Sequence, residues 1–204
     1  MFYKEVRHMD ILRHCAENFN HLLSYQYHIV IGRKGKMLKF TITFDPADFH
    51  HLAGLHKLRD NVRFQTGKRD DIFRDILAGK LTVQQAARSS FFQEMESRLR
   101  PLAELEAFID SNELIFRYNA KANVFSAISA DYLLQNDFEG NPVYLFLAQR
   151  TGKDTQVCRT FFPKVEKDYT EGQPRYTLLK KEKQNLVTGK TEIQFDRLSP
   201  RETK

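Results

Sequence analysis

The sequence predicts an α+β fold, N-terminal helices followed by an antiparallel β-sheet, and three observations carry that expectation. Up to about Ile109, one early hairpin excepted, apolar residues recur at helical spacing. From Glu113 the pattern switches to period two, in the runs LIFRYN, VFSAISADYLLQ, VYLFLAQR, TQVCRTFFPKV, RYTLLKK and KTEIQF. Turn sequences such as DFEGN and RTGKD separate these runs. Helices first and a meander afterwards describe an α+β domain.

Taken in order, His8–Tyr25 repeats apolar residues at Ile11/Leu12, Cys15, Phe19 and Leu22/Leu23, an amphipathic helix with His8, His14 and His21 on its solvated half. Tyr27–Ile31 and Met37–Phe44 are β-rich runs joined by GRKGK, a hairpin with a basic turn. Asp45–Asp60, DPADFHHLAGLHKLRD, then reads as one helix, with Asp45 as N-cap, Pro46 in the first helical position and Asp48 favoured by the N-terminal dipole. On it Phe49, Leu52, Ala53 and His56 share a face, and His51 stands roughly 140° from His56 if the helix is straight. Gly54, between the two histidines, is a point where the segment bends or another chain comes close. Gln65–Arg69 is a polar loop, Asp70–Ala78 a helix closed by Gly79, and Thr82 caps a short helix. Phe91–Ile109 is a longer helix interrupted at Pro101, with Met95, Leu99, Leu102, Leu105 and Phe108 inward. Among the strands, VYLFLAQR is apolar on both faces and should be central.

With 204 residues, 41% of them hydrophobic and 17 Phe among them, the chain can bury a sizeable core. Residues 1–167 are expected as the main α+β domain, and 168–204 as a C-terminal hairpin extension with a basic tail. Two cysteines without CxxC spacing imply neither a disulfide framework nor zinc, and Cys15 and Cys158 read as buried small hydrophobes. No 18-residue apolar run and no signal peptide are present, so a cytoplasmic protein without membrane association is expected. The net charge of +6 suits a polyanionic partner, and the basic residues gather in Lys34–Lys39, His56–Arg69 and Lys180–Lys190.

The signatures GxGxxG, GxxxxGK[ST], HExxH and GxSxG are all absent. His50-His51 with His56 lack the i, i+4 spacing of helical metal ligands, so neither metal nor cofactor is expected. What remains is histidine, lysine, arginine, threonine and tyrosine near a basic surface. That set suits metal-independent RNA cleavage, in which a base takes the 2′-hydroxyl proton, cations stabilise the phosphorane and an acid protonates the 5′-oxygen. In the strand VFSAISADYLLQ, Ser129 and Asp131 project side by side as a polar floor. In TQVCRTFFPKV, alternation places Arg159 with Phe161 and Thr160 opposite, and both Arg159 and Thr160 suit phosphate contact.

FHHLAGLHKLRD, followed downstream by KANVFSAISADYLL, VYLFL and RTFFP, resembles a phage-associated nuclease-like family. It is the fourth group of phage domains likened to barnase, EndoU, colicin and RelE ribonucleases, and the likeness spans about residues 8 to 165. The resemblance implies N-terminal helices followed by a four-stranded antiparallel sheet, and metal-independent RNA cleavage by a toxin or mobile-element protein. His51, His56, Lys57 and Asp60 fall on its helical motif, Asp131 and Tyr132 on its ADYLL strand, and Thr160 on its last motif.

The reading is a phage or mobile-element endoribonuclease acting on RNA by acid–base transesterification. His51, His56, Lys57, Asp131 and Thr160 would be catalytic. Lys57, Arg159 and Thr160 would hold phosphate, with Asp60, Ser129 and Tyr132 in support. Cleavage should follow groups near the ordinary histidine value of about 6.5. The alternative is a non-catalytic protein of nuclease-like fold, an inhibitor or a nucleic-acid- or protein-binding module. Besides RNA, the partner class would then be a cognate inhibitor or a host or phage protein. Convergence of His56, Lys57, Asp131 and Thr160 on one open cleft separates the two readings.

Overall fold

The computed structural model describes residues 10–122 and 126–200. Asp10 opens the first helix, α1 (Ile11–Leu22), by accepting from the backbone N–H groups of Leu12 and Arg13 at 2.9 and 3.1 Å. The inward stripe of α1 is the one the spacing requires, with Leu12, Cys15, Ala16, Phe19 and Leu22 all buried. Strands β1 (Tyr25–Arg33) and β2 (Lys36–Thr43) form the expected basic hairpin. Its two turn residues, Lys34 and Gly35, have φ of +48° and +75°, the left-handed pair that matches the twist of two-residue hairpins.

After the histidine-rich segment come α2 (Phe49–Leu52), α3 (Val62–Gln65), α4 (Arg69–Leu77) and α5 (Val83–Ala86). The last is capped by Thr82 with Gln85 reaching back to the Thr82 N–H. Helix α6 (Gln93–Ala103) runs through Pro101, contrary to the expected interruption there. The break falls three residues later, at Glu104, whose ψ of 20° turns the chain into α7 (Leu105–Ser111). Met95, Leu99, Leu102, Leu105 and Phe108 are buried in one core across both helices.

Strands β3 (Leu114–Arg117), β4 (Tyr132–Phe138), β5 (Asn141–Gln149), β6 (Gln156–Pro163), β7 (Arg175–Asn185) and β8 (Thr191–Asp196) complete the chain. The order β1-β2-β6-β5-β4-β3-β7-β8, with β1 also paired to β7, closes seven strands into a ring and leaves β8 outside it on β7. This corrects the open meander expected from the strand pattern. Closure depends on β1 and β2, which the sequence order separates from the later strands, and on one parallel contact, Ile42 with Gln156. The C-terminal segment is built in, because β7 lies between β1 and β3. Its basic run is partly internal, since Lys181 and Lys183 are buried.

Strand β5 is central, as its two apolar faces imply. Val143, Leu145 and Leu147 join the main core, and Tyr144 and Phe146 join a second aromatic cluster with Phe116, Tyr118 and Leu133. Both cysteines are free and buried, Cys15 donating to Leu99 O at 3.1 Å, and burial pushes its thiol up to about 12. No helix among the described residues is long and apolar enough to cross a membrane.

A cleft built by a glycine break and a strand bulge

Asp45 accepts from Ala47 N, and its own N–H donates to Asp48, each at 3.0 Å, so DPAD starts a helical segment as expected. The segment does not continue as one helix. It passes from a 3₁₀ turn (Pro46–Asp48) into α2, breaks at Gly54 and resumes as a second 3₁₀ turn over Leu55–Lys57. Gly54 has φ +75°, a conformation that a side chain disfavours. It also lies against α6, where an added Cβ would stand 2.9 Å from Arg98 Cδ and 3.1 Å from Met95 Cβ. The break cancels the divergence of a straight helix, so the rings of His51 and His56 lie 4.9 Å apart between centroids. His50 is 5.9 and 6.5 Å from them.

Gly54→Ala should therefore lower stability by about 2–4 kcal/mol, combining left-handed strain with overpacking against Arg98. Denaturant unfolding measures this. A change below about 0.5 kcal/mol, the scale of a neutral surface substitution, would show that the turn is not constrained by its neighbours.

The second device is in β6. Phe146 pairs with Thr160 and Leu147 with Cys158, so Arg159 is an extra residue without a partner. Strict alternation would put Arg159 on the side of Phe161. The bulge instead sends Cys158 and Phe161 together into the main core, and Arg159 and Thr160 together into one cleft.

That cleft, of about 500 Å³, is walled by His51, His56 and Lys57 on one side and Arg159 and Thr160 on another. Ser126–Ser129, Phe162 and Tyr169 close it. Arg98, which the sequence reading passed over, sits in it with only 8% exposure. Its Nη1 donates to Thr160 Oγ1 at 3.2 Å and to Phe161 O at 3.0 Å, and its guanidinium lies 5.2 Å from the Phe162 ring. It makes no ion pair among the described residues, and burial pulls it down to about 10. The signal was available: Arg98 follows Met95 by three positions on the inward stripe of α6, and a cation there needs a purpose. Lys57 reaches Glu94 only at 3.7 Å. A larger, more apolar groove of about 660 Å³ between α1, α5 and α6 holds none of this chemistry.

Three expected members are elsewhere. Strand β4 begins only at Tyr132, so the alternation assumed from Val124 does not hold; Val124 and Phe125 lie outside the described residues. Ser129 reaches the cleft, but Asp131 and Tyr132 face a different depression, shared with His28, Lys39 and Arg117. There Asp131 accepts from Arg117 at 3.3 Å and from Gln149 N at 2.9 Å, a link between strands rather than a group orienting a histidine. Tyr132 stacks on Phe40 at 4.2 Å. Asp60 accepts from Ser89 and from the Ser90 N–H and hydroxyl, bonds that hold its carboxyl down to about 2 and tie the chain ahead of α6.

The histidines are not ordinary titrators. Burial first, then the charges of Arg69, Arg159 and Arg98, pushes His51 down to about 4. Burial, His51 and Arg98 push His56 down to about 3. Both are neutral at pH 7, which replaces the expectation of control near 6.5. The spacing argument against metal binding also assumed an unbroken helix. With the break at Gly54, one ring nitrogen from each of His50, His51 and His56 lies within 4.8 Å of the others.

Comparison with known families matches residues 11–198 to the family described as phage-Barnase-EndoU-ColicinE5/D-RelE like nuclease 4. The match runs past residue 165, where the resemblance was expected to fade, through β7 and β8. No curated protein and no solved structure matches the chain. With residues 11–198 of its 204 matched, this chain belongs to the fourth family of phage barnase–EndoU–colicin E5/D–RelE-like nucleases.

Proposed function

We propose that the cleft is the active site of an endoribonuclease of phage or mobile-element origin that cleaves RNA by acid–base transesterification. The observation that carries this is Arg98, a buried guanidinium that makes no ion pair among the described residues, set beside two neutral imidazoles in an open cleft. A buried cation without a counter-ion favours a site that receives an anion, and a phosphodiester supplies one. No carboxylate lines the cleft among the described residues, so hard cations such as Mg²⁺ have no carboxylate ligands there.

In this reading His56 takes the 2′-hydroxyl proton, assisted by His51. The 2′-oxygen attacks phosphorus, and charge on the phosphorane oxygens is met by Arg98, Arg159, Lys57 and the Thr160 hydroxyl. The P–O5′ bond breaks and the 5′-oxygen takes a proton. Tyr169, whose hydroxyl burial pushes up so that it keeps its proton, lines the same cleft and suits that role. Pure protein with end-labelled RNA in EDTA should yield 2′,3′-cyclic phosphate ends, and RNA carrying a 2′-deoxy at the scissile position should resist. Absence of any cleavage would leave a nuclease-like binding module.

The pH dependence follows from the depressed histidines. A base must be unprotonated, and groups that titrate near 3 and 4 stay so throughout the neutral range. In chelator, kcat/KM should therefore hold level as pH falls through the ordinary histidine value of about 6.5, and drop only as it approaches the depressed values. A limb centred near 6.5 would overturn the depressed values and fit an ordinary imidazole as the base.

A further inference from the structure

Two buried imidazole nitrogens, His50 Nδ1 and His56 Nδ1, have no hydrogen-bond partner among the described residues. Buried polar atoms left unpaired are uncommon, and a pair of them in one cluster calls for a shared occupant. His50 is 7% exposed, and its Nε2 lies 2.9 Å from Phe64 O. A carbonyl only accepts, so Nε2 carries the proton and Nδ1 holds the free lone pair. That outer hydrogen bond, from the far nitrogen to a backbone carbonyl, is the one that orients histidines bound to metals.

We propose that His50, His51 and His56 form a binding site for a transition-metal dication of the Zn²⁺ class. Imidazole nitrogen suits such ions and not Mg²⁺ or Ca²⁺. Tetrahedral coordination at about 2.0–2.1 Å sets ligand nitrogens about 3.4 Å apart. One ring nitrogen of each histidine already lies within 4.8 Å of the others, near the spacing such an ion requires. The fourth position opens on the cleft, where water or a phosphate oxygen can enter. Arg69, Arg98, Arg159 and Lys57 oppose a second cation, which makes the affinity weaker than that of a structural zinc site and lets an anion in the cleft raise it.

Binding at this site does not need the cleft to be catalytic. If the ribonuclease reading also holds, metal occupancy withdraws the lone pairs of His51 and His56 from acid–base use. The site is then a metal-operated off switch for cleavage that proceeds without metal.

The test is titration of chelator-stripped full-length protein with Co²⁺, read by its visible d–d absorption, and with Zn²⁺, read by calorimetry. One equivalent of each should bind at pH 7.5, with Zn²⁺ displacing Co²⁺. His51→Ala, at a half-buried position, and His50→Ala should each weaken binding by at least about 100-fold, with circular dichroism confirming the fold. No Co²⁺ spectrum in wild type, or Zn²⁺ binding unchanged in every histidine variant that folds, overturns the proposal. A parallel RNA assay separates the two readings. Metal binding with no cleavage in EDTA keeps this site and removes the ribonuclease. Cleavage in EDTA without metal binding does the opposite, and cleavage silenced by added Zn²⁺ supports both.

Discussion

His56→Ala is expected to slow RNA cleavage by about 10²–10⁴-fold, the usual cost of losing a positioned acid or base, while leaving the protein folded. The folding half follows from geometry. Among the described residues His56 Nδ1 has no hydrogen-bond partner to lose, and the backbone around it is held by its own 3₁₀ turn and by Gly54 against α6. His51→Ala should slow the reaction as well, and the two losses should not add, because the imidazoles act as one unit 4.9 Å apart. Arg98→Lys sharpens the interpretation. It keeps a charge but loses the planar guanidinium, whose Nη1 alone donates to both Thr160 Oγ1 and Phe161 O, so it should cost about 10²–10³-fold if the guanidinium also meets the transition state. Single-turnover assays in EDTA measure all three. Wild-type rates in both histidine variants would remove the cleft from the chemistry.

The largest stability effect is expected at Lys181. This β7 residue is 2% exposed, and its ammonium donates to the carbonyls of Ile109, Asp110 and Asn112 at 2.7, 2.9 and 2.6 Å. These are the carbonyls at the C-terminal end of α7, where helices leave acceptors unpaired and where the dipole favours a cation. Lys181→Ala should cost about 3–5 kcal/mol, from orphaned acceptors and an unfilled volume together. Lys181→Met retains most of the volume, so its smaller loss isolates the hydrogen bonds. Urea unfolding reports both, and a loss under about 1 kcal/mol for alanine would mean that water replaces the ammonium without cost.

What was legible in the sequence was whatever local pattern decides. The Thr82 and Asp45 caps, the inward stripes of α1 and α6, and the two-faced β5 all formed as their spacing requires. Ring closure was not legible, because it joins β1 to β7 across some 150 residues and no local period records such a pairing. The cleft was half legible. His51, His56, Lys57, Arg159, Thr160 and Ser129 converge there, but only because two periods are broken, at Gly54 and at Arg159. The same reliance on unbroken period paired Asp131 with Ser129 on one face of a strand that begins only at Tyr132. Arg98 was missed because a stripe of leucines and methionine invites reading the arginine among them as an outlier.

The bulge at Arg159 makes residue count, not residue type, the control over what faces the cleft. Deleting that one position would let Cys158 follow directly into Thr160 opposite β5, restoring an even ladder while removing a cation from the cleft. Cleft surface and barrel wall thus differ in their tolerance of insertion and deletion. A length change here alters what the protein can grip, and the same change elsewhere in β5 or β6 would turn core residues toward water.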